Sequence, residues 1–121
     1  MTKEERLKAL DAEATEHARR AATAQSAAAQ AFERLLCQAE SRDSGQIRRI
    51  AAFLASTFNG DAFPFDLFEL RAVDVAISDD MLLCLDALRW GKADLYKLVP
   101  DGEKRVLKVL ELWGIQWPDE K

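Results

Sequence analysis

Side chains able to do chemistry are few in this sequence and far apart. The one histidine, His17, has Glu13 and Glu16 about a turn away and no serine or cysteine close enough in sequence for it to activate. Cys37 and Cys84 lack the CxxC spacing of a redox or metal pair, and each falls in an apolar helical stretch, which predicts buried thiols. One histidine and two scattered cysteines do not make a zinc site. Gly91, Gly102 and Gly114 are isolated stops rather than a loop that cradles phosphate. Asp79-Asp80, with Asp74 before and Asp86 after, comes nearest to an acid–base or Mg²⁺ cluster. Neighbours on a helix project about 100° apart, however, so the two do not converge on one ion without a second element. Acids in early helical turns are accounted for by the positive end of the helix dipole. No catalytic residue, metal or cofactor is expected, and the chain reads as a non-enzymatic protein.

Charge placement says more than charge total. Seventeen basic and 21 acidic side chains give a net charge of −4, which argues against a general binder of phosphate backbones. Both ends are close to neutral. The middle holds Asp61, Asp66, Glu69, Asp74, Asp79, Asp80 and Asp86 against Arg71 alone. An acidic surface formed by Asp66, Glu69, Asp74, Asp79, Asp80 and Asp86 is therefore the candidate partner-binding site. Arg19-Arg20 and Arg48-Arg49 are not interleaved with aromatics, and salt bridges account for them better than direct contact with nucleic acid.

The elements that position these residues are helical. A length of 121 residues suits one core with an appendage. A hydrophobic content of 49% alongside 31% charged residues belongs to a chain that folds. The longest apolar run, Met81 to Leu85, falls far short of the roughly 20 residues that span a bilayer. The charged start, Met-Thr-Lys-Glu-Glu-Arg, lacks the apolar core of a signal peptide, so a cytoplasmic location is expected.

Thr2-Lys3-Glu4-Glu5 is a capping-box pattern, and no glycine or proline follows until after Glu40. Residues 1–40 are thus expected to form one long alanine-rich helix, a coiled-coil-like arm about 57 Å long. Heptads written from Leu7 place Leu7, Ala14, Ala21, Ala28 and Leu35 at a, with Leu10, His17, Ala24, Ala31 and Gln38 at d. Leu7, Leu10, Ala14, Ala21, Ala28 and Leu35 form the candidate helix-pairing seam, within a homodimer or antiparallel against the same chain. The alternative is a lone exposed helix held by propensity and local charge pairs.

Residues 41–121 are expected to form a small domain of about four helices, making the fold all-α. Asp43 or Ser44 caps a second helix, with Gln46 at the capping-box position for Asp43, and Ile47, Ile50, Ala51, Leu54 and Phe58 line one face. Asn59-Gly60 predicts a left-handed stop. Phe63 and Phe65 should pack under the next turn. A short helix capped by Asp66 leads to one from about Asp74 to Trp90, which is apolar on most faces and expected at the centre. The last helix, about Glu103 to Trp113, should turn Val106, Leu107, Leu110 and Trp113 inward and end on Gly114-Ile115 in a Schellman motif.

Two stretches, Ser44-Gly45-Gln46-Ile47-Arg48-Arg49-Ile50-Ala51-Ala52-Phe53-Leu54 and Phe65-Asp66-Leu67 through Val73 to Leu82, resemble an uncharacterised family of small proteobacterial proteins met on plasmids and other mobile elements. The resemblance spans about Ser44 to Trp117 and leaves out the long helix. It implies a setting and no catalytic residue. In that setting an acidic protein is expected to obstruct a host defence complex, similar in kind to an anti-CRISPR protein, with a host protein or nucleoprotein complex as partner. The alternative is a dimeric structural or regulatory adaptor for plasmid maintenance or transcription, paired through residues 7–35.

Overall fold

The computed structural model describes residues 1–120, and its first helix starts where the Thr2-Glu5 pattern predicts: Thr2 Oγ1 accepts from the Glu5 N–H at 3.1 Å. With nothing to break it, α1 runs from Lys3 to Ser41, 39 residues and about 58 Å. Three shorter helices follow, α2 (Gly45–Phe58), α3 (Val75–Leu88) and α4 (Gly102–Leu112), with 3₁₀ turns at Leu67–Ala72, Leu95–Leu98 and Pro118–Glu120. The fold is all-α.

The C-terminal half of α1 is the post around which the rest packs. It touches α2, α3, α4 and the Leu95–Leu98 turn. Ala21, Ala24, Ala28, Ala31, Phe32, Leu35, Leu36 and Ala39 are all buried there. Ile50, Phe53 and Leu54 from α2, Met81 and Cys84 from α3, Leu95, and Val106 and Val109 from α4 complete the core. The helix expected at the centre, α3, lies to one side, with Leu82 and Leu88 exposed. Packing therefore divides the chain near Ala21, inside α1, whereas the sequence pattern suggested a break at residue 40.

Local details differ where long-range partners intervene. Ser44, not Asp43, caps α2 by accepting from the Ile47 N–H at 3.4 Å. Gln46 turns away from that cap to join α3: its Nε2 donates to Asp74 Oδ2 at 3.1 Å, and its Oε1 accepts from the Asp74 N–H at 2.5 Å. At the other end of α2 there is no left-handed stop. Asn59 is extended, with φ −154°, and its side-chain oxygen accepts from the N–H groups of Asp61 and Ala62 at 3.1 and 3.0 Å. In α4, Leu107 faces outward and Val109 takes the inward place.

Helix α4 is stapled back onto α1. Trp113 Nε1 donates to the Ala39 carbonyl at 2.9 Å. Arg105 bridges from α4 to Glu33 and Glu40, and the Glu40 carboxylate, with Glu33 behind it, holds the guanidinium above its ordinary basicity. Gly114, at φ +65°, closes α4 as a Schellman motif, with the Ile115 N–H donating to the Leu110 carbonyl at 2.9 Å. Phe63 is buried with its ring 4.8 Å from that of Trp117, and Phe65 meets Phe53 edge-on at 5.4 Å.

The start of α4 has no room for a side chain. A Cβ on Gly102 would lie 1.7 Å from the Tyr96 carbonyl oxygen, a backbone atom that cannot swing aside. Gly102→Ala is expected to destabilise the protein by about 3 kcal/mol in urea unfolding at unchanged m value. A loss below about 0.5 kcal/mol would contradict this close approach.

Candidate functional site

Five of the six acidic candidates are engaged by other groups of the chain. Asp80 is buried on α3, and its two oxygens accept from Arg34 of α1 at 2.8, 3.1 and 3.3 Å. That fork raises the basicity of Arg34 and welds α3 to α1, so Asp80 is structural and not presented to a partner. Glu69 pairs with Arg49 of α2. Asp86 accepts from Arg89 at 2.7 Å one turn on. Asp66 starts the Leu67–Ala72 turn by accepting from the Phe68 N–H at 2.9 Å, and Asp74 is held by Gln46. Only Asp79, exposed between Val75 and Leu82 on the outer face of α3, is without a partner among the described residues. Two of these acids, Asp80 and Glu69, are answered by arginines distant in sequence and Asp86 by a local one, while Asp66 and Asp74 accept from neutral groups and keep their charge.

The basic pairs diverge likewise. Arg19 binds Glu16, with Nε and Nη2 at 3.0 and 2.5 Å, and this hydrogen bond holds the Glu16 carboxyl below its ordinary pKa. Arg20 lies over the Trp90 ring at 5.2 Å and Arg48 over Trp113 at 5.5 Å. Cys84 is buried as expected, and desolvation pushes its thiol up to about 12, while Cys37 is exposed. Among the described residues no group of three or more His, Cys, Asp or Glu side chains is placed to hold a metal ion, and no helix is long and apolar enough to cross a membrane.

What stands free is the first half of α1. The seam is split by its surroundings: Ala21, Ala28 and Leu35 are sealed against the chain's own helices, while Leu7 and Leu10 remain 53% and 60% exposed and Ala14 is open to solvent. The stripe is continuous, because residues 7, 10, 14, 17, 21, 24, 28, 31 and 35 keep the same three- and four-residue spacing. The last grip of the globular part on it is His17, whose ring meets Trp90 edge-on at 4.8 Å. Trp90 stands against the helix and walls a groove of about 360 Å³ whose other sides are Ala12, Glu13, Glu16, His17 and Arg20. Its Nε1 is buried with no hydrogen-bond partner among the described residues. His17, itself exposed, thus meets the globule through one ring contact, and the sequence held no hint of Trp90, more than 70 residues away.

A model of a family of unknown function, DUF7673, matches residues 29–114. The chain belongs to that family. The matched region begins at Ala29, inside the buried half of α1, and ends at Gly114, the Schellman glycine of α4, so DUF7673 takes in part of the long helix that the sequence resemblance left outside. The exposed residues 1–20 precede it. No curated protein and no solved structure matches the chain.

The Arg34–Asp80 contact yields an asymmetric prediction. Arg34 is half exposed and is rehydrated when its partner goes, whereas Asp80 would be left buried and unpaired. Arg34→Met should cost about 2 kcal/mol in urea unfolding and Asp80→Asn about 1 kcal/mol or less. Equal costs, or none, would place Asp80 in water.

Proposed function

We propose that this protein is a non-enzymatic binding adaptor whose docking element is the free half of α1, residues 3–20, carried on the helical globule. One observation supports this above all: a single apolar stripe is buried from Ala21 onward and left uncovered at Leu7, Leu10 and Ala14. Exposed leucines repeated on one helical face are the anchors of helix-mediated association. The globule supplies a rigid base, since α1 is one helix through both regions.

A second reading follows from Asp79. It is an uncompensated acid between two exposed apolar side chains, Val75 and Leu82, and suits a mobile-element inhibitor that faces a basic surface of a host defence complex. Arginines answer three of the six acids that the sequence offered, Asp80, Glu69 and Asp86, and neutral groups hold Asp66 and Asp74, so this reading carries less than the arm. Both readings have a cytoplasmic protein or nucleoprotein partner.

Affinity capture from lysate with quantitative mass spectrometry separates them. Leu7→Glu with Leu10→Glu should lose at least about 90% of the specific partner, with Asp79→Lys capturing as the parent does. The adaptor reading fails when the arm variant captures normally, and the inhibitor reading takes its place when the loss follows Asp79→Lys.

A further inference from the structure

We infer that the outer face of α3, the stripe of Val75, Asp79, Leu82 and Asp86, docks a basic amphipathic helix of a partner protein, with aliphatic side chains for its apolar positions and a lysine or arginine for Asp79. The inference rests on the reading of Asp79 as a docking residue and names what it takes. It does not need the arm, which belongs to a different helix.

Helix geometry sets the stripe. Residues 75, 79, 82 and 86 follow one another at four, three and four positions, so they share one side of α3 over about three turns. The opposite side is taken up by the fold. Ile77, Met81, Cys84 and Ala87 are buried there, and Asp80 holds the Arg34 fork from α1. The outer side is bare: Val75 is 73% exposed and Leu82 53%, and Asp79 stands exposed between them. Two apolar side chains seven residues apart are the anchors by which a second helix lies along α3.

Charge selects the occupant. Asp79 has no partner among the described residues, and Asp74, at the head of α3, is met only by the neutral Gln46 and keeps its charge. Asp86 is balanced by Arg89 at 2.7 Å. The other cation of the stretch, Arg71, lies over the Phe68 ring on the preceding turn. Two unanswered carboxylates thus flank or divide the apolar anchors. They repel a nucleic acid or an anionic membrane surface. A neutral apolar helix laid on Val75 and Leu82 would bury Asp79 unpaired at the centre of the contact, a desolvation cost that a lysine or arginine opposite it removes. The arm makes no such choice, since acidic and basic residues are mixed along it in near balance.

The full chain is titrated with a labelled synthetic helix of about 18 residues, with leucines along one face and lysines beside them, and binding is read by fluorescence anisotropy. A Kd on the order of 50 μM is expected at about 50 mM salt, weakening several-fold by about 300 mM. Asp79→Lys should weaken it about tenfold and Leu82→Ser about fivefold, with helix content unchanged because both side chains are exposed. Leu7→Glu with Leu10→Glu should bind as the parent does, and a counterpart peptide with glutamates for lysines should not bind. The proposal is overturned by no binding up to about 1 mM, by equal binding of the acidic counterpart, by indifference to Asp79→Lys, or by indifference to Leu82→Ser, which would reduce the effect to a general attraction to an acidic chain. Peptide binding that follows Asp79 and Leu82 while lysate capture ignores Asp79→Lys upholds this surface and sinks the inhibitor reading. Capture that follows Asp79→Lys with no peptide bound does the reverse.

Discussion

The packing of α1's apolar stripe against the chain's own later helices is the contact on which everything else depends. Five of its buried residues are alanines, whose lack of side-chain bulk lets neighbouring backbones come close, while Phe32, Leu35 and Leu36 supply the apolar area near the C-terminal end. Without that contact α2, α3 and α4 would have no common surface to bury. The Arg34–Asp80 fork, the Arg105 bridge to Glu33 and Glu40, and the Trp113 bond to Ala39 all pin later elements onto the same half of α1. The polar staples are arranged along the post that the apolar stripe has set.

The same contact explains why one helix has two fates. Ala14 and Ala21 are the same residue type at the same heptad position, yet one is open and the other 1% exposed. What differs is reach. The globule extends along α1 as far as Trp90, and Trp90 touches His17 and Arg20. N-terminal to that wall the stripe persists with none of the other described elements to meet it.

Legibility in the sequence followed locality. The Thr2 cap, the unbroken run of α1 and the Gly114 stop depend on neighbours within one or two turns, and each was plain from residue type and spacing. The end of α2 was misread because Asn59 bonds forward to Asp61 and Ala62 in place of a left-handed turn. That Asp80 and Glu69 are tied into the fold could not be read from the sequence, because their counter-charges, Arg34 and Arg49, lie 46 and 20 residues away, beyond any local pattern. The burial boundary at Ala21 was hidden for a related reason: a heptad repeat records which face is apolar and not what covers it.

Amide hydrogen exchange along α1, resolved to single residues in dilute protein, tests this division most directly. Every amide from about residue 6 to residue 39 donates within one helix, so hydrogen bonding alone would protect them alike. If packing sets the difference, amides of residues 24–39 should open only with global unfolding, and those of residues 6–14 should exchange at least about a hundredfold faster by local fraying. Uniform protection from one end of α1 to the other would contradict the account.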